Sequence, residues 1–233
     1  MYAFVDYRIT NEEILNLSKL NIEIIKVPKC DRVYDAINGH PDIQINLIKS
    51  NTDKKLIIQK DISQEFRNIL NEKGIKYIVS EKSLNSSYPS DIILNALILK
   101  DYFIHNLSYT DENLFNSQTS KKNINVSQGY TKCSVLPLNE KALITSDKGI
   151  FNTLKDDFDI LLLPPGDILL PSLDYGFIGG TGGMISDDKI VFFGNLNFYQ
   201  YGRLVIDFLS KYGITPIYLK KGKLIDRGSI FIV

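Results

Sequence analysis

The 233-residue chain has no tryptophan, two cysteines, two histidines and two methionines. His40 and His105 are too few, and too far apart in sequence, to give three or four metal ligands at a recognisable spacing, so no metal centre is expected. Cys30 and Cys133 stand 103 residues apart, and residues 1–6 carry neither a basic leader nor a long apolar run. A disulfide framework in an oxidising compartment is therefore not implied, and a cytoplasmic protein is expected. No run reaches the roughly 18 apolar residues of a membrane span. Neither charge is in excess, with 27 basic and 27 acidic residues. The pairs Lys54-Lys55, Lys121-Lys122 and Lys220-Lys221 read as solvated turns, so nucleic acid is not an expected partner and neither is a membrane. No Gly-x-Gly-x-x-Gly lies between a strand and a helix, because Gly179-Gly180-Thr181-Gly182-Gly183 runs into a strand; no cofactor is implied.

At 44% hydrophobic residues the chain can bury one substantial core or two small ones, and periodicity has to decide. The stretch Gly39-His40-Pro41-Asp42-Ile43-Gln44-Ile45-Asn46-Leu47-Ile48 alternates apolar and polar residues as a half-buried strand does. It predicts a strand that turns at Ser50-Asn51-Thr52-Asp53 and returns through Leu56-Ile57-Ile58. Ahead of it lie a short strand over 1–6, a helix opened by Thr10 and Glu13 at capping-box spacing, and a β-branched strand over 22–27. The order recurs. A helix after Asp61-Ile62-Ser63 stops at Gly74, a strand follows over 75–79, and a hairpin runs through 92–98 and back at 102–104. A third unit has a weaker helix over 111–117 and a hairpin through Cys133; a fourth runs into its hairpin at Ile178; a fifth helix spans 200–211. Measured at His40, Tyr88, Tyr130, Ile178 and Arg227, the hairpin lead-ins are 48, 42, 48 and 49 residues apart, the spacing of a repeated supersecondary unit.

The fifth unit lacks a return strand and the chain opens on an unassigned one. Pairing the N-terminal strand with the last hairpin supplies the partner and removes two exposed edges. The expected fold is a single α/β domain over 1–233, with five repeats closed into a ring, helices outside and lead-ins converging near the axis. An open doubly wound α/β sheet in two halves is the rival.

Five such repeats, with His40-Pro41-Asp42 in the first and Gly129-Tyr130-Thr131-Lys132-Cys133 in the third, resemble the guanidino-group-modifying, or pentein, superfamily of deiminases, dimethylarginine hydrolases and amidinotransferases. More narrowly, the whole chain is similar to an uncharacterised clostridial-type family assigned to that fold. The resemblance implies a five-bladed α/β propeller with an axial site. It also implies His40 as proton donor and acceptor, Asp42 as guanidinium ligand or His orienter, Cys133 as nucleophile, and Asp226, one blade before His40, as a further carboxylate. Asp91, Thr131 and Thr181 become substrate-binding positions around the pocket. The order is a circular shift of the familiar enzymes, whose cysteine usually lies in the last blade; here the last repeat offers Ser229 instead, and Tyr130 replaces the usual second glycine of the cysteine lead-in. The superfamily also has non-catalytic members that bind ribosomal subunits.

Guanidinium carbon is a poor electrophile, its charge being shared over three nitrogens. Attack needs a thiolate, a carboxylate frame and an acid for the departing amine. Cys133, Asp42 with Asp226, and His40 are residue types that supply those parts. Each also has a packing reading: a buried cysteine is commonly a small hydrophobe, and His40, Asp42 and Asp226 could hold backbone groups at a crowded axis. Two functions follow. One is a thiol-dependent hydrolase or amidinotransferase acting on a small guanidino compound. The other is a non-catalytic binding protein using the same pocket, or a rim with Tyr88, Tyr130 and Tyr175, for a small ligand or protein; a homo-oligomer is compatible with either.

Overall fold

Residues 1–49 and 54–233 are described in the computed structural model of the protein, so the turn expected over 50–53 lies outside them. The chain opens with β1 (Tyr2–Asp6), α1 (Asn11–Ser18) and β2 (Glu23–Val27). The capping box forms as its spacing predicts: the Glu13 N–H donates to Thr10 Oγ1 at 3.4 Å and the Thr10 N–H donates to Glu13 Oε2 at 2.8 Å. Next come α2 (Pro41–Gln44), β3 (Ile45–Lys49), β4 (Lys54–Ile58), α3 (Gln64–Glu72) and β5 (Tyr77–Val79). Ser63 caps α3, and beyond it Gly74 adopts φ +65°, where a left-handed residue ends a helix. The unit repeats as β6 (Leu97–Ile98), β7 (Tyr102–His105), α4 (Glu112–Asn116) and β8 (Lys122–Asn125), then as α5 (Thr131–Ser134), β9 (Val135–Pro137), β10 (Ala142–Thr145), α6 (Lys148–Leu154) and β11 (Asp159–Leu162). The last unit is β12 (Gly182–Ser186), β13 (Lys189–Phe192), α7 (Gly202–Lys211) and β14 (Thr215–Tyr218), followed by β15 (Phe231–Ile232).

The described strands form five separate three-stranded sheets, which excludes the continuous doubly wound sheet. In four of them the middle strand is antiparallel to the strand before it in the chain and parallel to the one after it, as in β3-β4-β5 and β12-β13-β14. The parallel step needs a crossover, and α1, α3, α4, α6 and α7 supply one per sheet. The remaining sheet, β15-β1-β2, draws on both ends of the chain: Ala3 lies opposite Ile232 and Phe4 opposite Phe231, flanked by reciprocal Tyr2 and Val233 backbone bonds. The expected pairing of the first strand with the last segment is present.

The buried apolar residues fall into clusters shared by successive sheets. Phe4, Ile45, Leu56 and Phe66 join the first two sheets under α3, and Ile43, Ile57, Phe103 and Leu114 join the next pair under α4. Val135, Leu143 and Ile150 are grouped with Ile104, and Ile144 and Phe192 with Val205. Ala3, Val5 and Leu17 pack with Val191 and Phe193, linking the last full unit to the first strand.

Sequence periodicity misled at the lead-ins. The alternation over 39–48 was expected to be strand throughout, yet 41–44 is one helical turn and β3 begins at Ile45. Pro41 sits at the first helical position, where its missing N–H costs nothing. Cys133, expected in a strand with Val135, lies in the corresponding turn α5. Of the strand expected over 92–98 only Leu97–Ile98 forms; the Leu94 and Ala96 carbonyls instead accept from Asn46 Nδ2, both at 2.8 Å. Among the described residues no helix is long and apolar enough to cross a membrane.

Two buried polar contacts carry stability predictions. Glu13 Oε1 accepts from Arg227 Nε at 3.2 Å, both residues being buried, so α1 is tied to the segment before β15. Glu13→Ala removes the capping partner and leaves Arg227 uncompensated, and should cost about 3 kcal/mol in urea unfolding, more than Glu13→Gln. His105 is clamped between Thr110 Oγ1 at 2.7 Å and the Gly129 carbonyl at 3.2 Å, and burial lowers its pKa from 6.5 to about 4. The unfolded chain then binds the extra proton first. The stabilisation is complete above pH 6.5 and is lost as pH falls towards 4, by about 3 kcal/mol. Urea titrations over that window should show the loss in the wild type and a flatter profile in His105→Gln.

Candidate active site

The lead-in turns aim side chains from distant parts of the chain at one place. His40 is the residue before α2, Cys133 lies within α5, and Asp226 lies between β14 and β15. All three line a cavity of about 250 Å³. Their ligand atoms, a ring nitrogen, Sγ and a carboxylate oxygen, lie within 4.8 Å of one another, and all three residues are buried.

The thiol has a defined partner. Cys133 Sγ donates to Asp42 Oδ2 at 2.8 Å, and the same oxygen accepts from Ser229 Oγ at 2.7 Å. Lys132 Nζ donates to Ser229 Oγ at 3.0 Å. Asn95 bridges the two turns: its Oδ1 accepts from the Lys132 and Cys133 N–H groups at 2.8 and 3.2 Å, and its Nδ2 donates to the Asp42 carbonyl at 2.9 Å. Burial, then the negative fields of Asp42 and Asp226, pushes the Cys133 thiol well above its ordinary value. Burial raises Asp42 too, against the pull of Lys132 and of the hydrogen bonds from Cys133 and Ser229. The surroundings therefore favour the protonated thiol.

His40 stands on the other side of the cavity end. Its Nδ1 is 3.8 Å from Asp226 Oδ1, and neither ring nitrogen has a hydrogen-bond partner. Burial lowers its pKa against the attraction of Asp226 and Asp6. Asp226 is fixed by the Phe177 N–H at 2.8 Å and the Gly228 N–H at 2.9 Å. Burial raises its pKa, while His40 pulls it down. Two glycines make this approach geometrically allowed. A Cβ at Gly180 would overlap the Asp226 carboxylate, and one at Gly228, which adopts φ +68°, would overlap His40.

Several expectations change. Asp42 faces the thiol instead of His40 or the cavity, so the neighbour of the imidazole is Asp226. Asp91 is buried behind the cavity wall, accepting from the Tyr130 hydroxyl. Thr131 and Thr181 do not line the cavity either: their hydroxyls donate at 2.7 Å to the Gln128 and Ile178 carbonyls, closing their own turns. Sequence reasoning missed Asn95, Lys132 and Ser229 as members of the network. A lone Asn inside Ile92-Ile93-Leu94-Asn95-Ala96-Leu97 was the available signal for the first, since a buried amide must find partners. Cys30 is a free thiol in the apolar cluster of the second and third sheets, away from the cavity. The dismissal of metal ligands by spacing overlooked a trio that only folding assembles. His40, Cys133 and Asp226 are the donor types zinc takes, though their 4.8 Å spread exceeds the roughly 3.5 Å edge of a tetrahedral zinc site.

Solved structures with this fold include SxtG, an amidinotransferase of the saxitoxin biosynthetic pathway from Microseira wollei (TM-score 0.56, 12% identity, 89% of this chain and 73% of that one). Two others are DDAH from Pseudomonas aeruginosa, a cysteine-to-serine mutant complexed with citrulline (TM-score 0.53, 10% identity, 93% and 91%), and C. jejuni agmatine deiminase with substrate bound (TM-score 0.54, 12% identity, 94% and 87%). These likenesses assign a mixed α/β fold of the pentein kind. No curated protein matches the chain in sequence. The sequence profile that does match extends over residues 4–231, and the chain accordingly belongs to the family of unknown function DUF6873.

Proposed function

We propose that the protein is a thiol-dependent enzyme acting on a small guanidino compound by hydrolysis or amidino transfer, its five sheets forming the blades of one propeller domain closed by β1 on β15. The observation that carries this reading is the meeting of Cys133, His40 and Asp226 at the end of one cavity, from the third, first and fifth repeats. The structural neighbours whose names describe amidinotransferase and agmatine deiminase activity, and a citrulline complex, point to the same chemistry.

In this reading the substrate guanidinium takes its place against the Asp226 carboxylate, beside Sγ. A cation there opposes the burial and the carboxylate fields that together favour the protonated thiol, and the thiolate becomes accessible. Cys133 Sγ forms a bond to the guanidinium carbon, the C–N bond to the departing amine breaks, and the proton lost by the thiol ends on that amine with His40 as carrier. The thiouronium intermediate then loses its C–S bond to water, or to an acceptor amine, with His40 taking the proton from the attacking group and passing it to the departing Sγ, which restores the thiol. Asp42, with Lys132 and Ser229 behind it, accepts the Sγ hydrogen bond at rest and so sets where the sulfur stands before attack.

Incubation with a panel of guanidines, read by ureido product and by released ammonia or amine, should show turnover that Cys133→Ala lowers by at least about 10³-fold. Turnover that is absent on every guanidine would leave the cavity as the pocket of a binding protein, and turnover that survives in Cys133→Ala would remove the thiol from the reaction. The thiol makes a second prediction. In a Cys30→Ser background, iodoacetamide should label Cys133 slowly at pH 7 and faster above pH 9, because a raised pKa keeps the thiolate scarce until then. A bound guanidinium should raise thiolate absorbance near neutral pH; an unchanged thiolate fraction in its presence would contradict the electrostatic role given to the cation.

A further inference from the structure

Given the guanidino reading above, the walls of the same cavity bear on the rest of the substrate. Away from His40, Cys133 and Asp226, the space is enclosed by Tyr34, Ile37, Tyr130, Leu170, Leu173 and Phe177. Tyr130 packs against Phe177 with ring centroids 6.3 Å apart and against Tyr88 at 5.9 Å, which fixes its plane. Its hydroxyl donates to Asp91 and lies 3.1 Å from that of Tyr34. With the Tyr130 proton given to Asp91, Tyr34 must donate to Tyr130, so neither inner hydroxyl has a proton left for a ligand. These residues present ring and alkyl surface to the cavity.

The charge of the lining is one-sided. Apart from His40, its ionisable groups besides the thiol and phenols are the Asp226 carboxylate at the buried end and the Asp174 carboxylate at the exposed rim. Among the described residues no lysine or arginine lines the cavity. The cations nearby face other groups. Arg8 donates through Nε to both Asp6 oxygens and through Nη1 to the Asp35 carbonyl at 2.9 Å. Arg227 donates to Glu13, and Lys132 to Ser229 with its Nζ over the Phe231 ring. A substrate tail ending in a carboxylate would thus be placed among apolar walls, next to Asp174 and without a basic partner, with the Tyr175 phenol at the rim as its one neutral donor among the described lining residues, and would lose more hydration than it regains.

We infer that the substrate is a guanidine whose tail is short, apolar and free of carboxylate: an alkylguanidine, and not a guanidino amino acid. The Asp226 end takes the cation, the flat faces of Tyr130 and Phe177 accept it edgewise or in stacking contact, and the leucine and isoleucine walls take the alkyl chain.

The test is isothermal titration calorimetry of the full chain carrying Cys133→Ala, which removes turnover, with Cys133→Ser as a second variant should the first melt early. The probes are n-butylguanidine, n-butylamine and L-arginine. n-Butylguanidine should bind at least about tenfold more tightly than arginine. Adding Asp174→Arg, an exposed substitution, should raise arginine binding relative to n-butylguanidine several-fold. Arginine binding as tight as n-butylguanidine, or an arginine ratio untouched by Asp174→Arg, overturns the inference about the tail and leaves the guanidino site standing. n-Butylamine binding as tightly as n-butylguanidine, or no binding by either guanidine, overturns the guanidino reading itself.

Discussion

The pairing of β1 with β15 is the constraint on which the site depends. β15 is only two residues long, yet the segment that leads into it carries Asp226, Gly228 and Ser229. That segment is pinned along its length: the Asp226 N–H donates to the Leu169 carbonyl at 2.8 Å, and the Arg227 and Ser229 N–H groups both donate to the Gly180 carbonyl, at 2.9 and 3.1 Å. The Asp42 N–H in turn donates to the Gly228 carbonyl at 3.1 Å, which sets α2 against the same segment. A short antiparallel contact thus fixes the carboxylate that faces His40 and the hydroxyl that faces Asp42. The Glu13–Arg227 ion pair anchors the segment a second time, from the first helix.

Burying His40, Asp42, Cys133 and Asp226 together is unfavourable for every charged form among them. The directions are consistent: the thiol and both carboxylates are pushed up and the imidazole down. Each shift favours the neutral species, which is what desolvation demands. Such a cluster is poorly suited to a packed core, where apolar residues of like volume would do as well or better. Under the proposed function it suits the arrival of a planar cation: such a cation would supply the missing positive charge, and the low polarity that favours the protonated thiol would strengthen its attraction to a thiolate and to Asp226.

The elements away from the cavity were legible in the sequence because one local signal decided each of them. Thr10 with Glu13, Ser63 and Gly74 mark helix ends by side-chain oxygen or left-handed backbone, and β4, β10 and β13 are short β-branched or apolar runs. The spacing of the lead-ins, together with the unassigned first strand, was enough to anticipate β1 meeting β15. The lead-ins themselves were misread because Ile43 and Ile45, and likewise Cys133 and Val135, satisfy a period of two whether or not the backbone is extended. Only Pro41 hinted at a helical turn. The partners of Asp42 were hidden for a different reason: Asn95, Ser229 and Lys132 are 53, 187 and 90 residues away, and no local pattern records contacts at that range.

The α5 turn shows why the two functions of such a lead-in are coupled. Cys133 opens onto the 250 Å³ cavity, while its neighbour Lys132 lines a second space of about 350 Å³ on the far side. Between them stands Asp42, receiving the thiol directly and Lys132 through Ser229. Without the lysine field, burial would carry Asp42 towards its protonated form, and a neutral carboxylic acid would compete with the thiol as donor instead of accepting from it. Lys132 therefore faces a different cavity from Cys133 and still bears, through Ser229 and Asp42, on how the thiol is held. A one-residue step along a single helical turn, about 100° around its axis, is what lets one lead-in place the thiol and the charge that balances its partner against separate cavities.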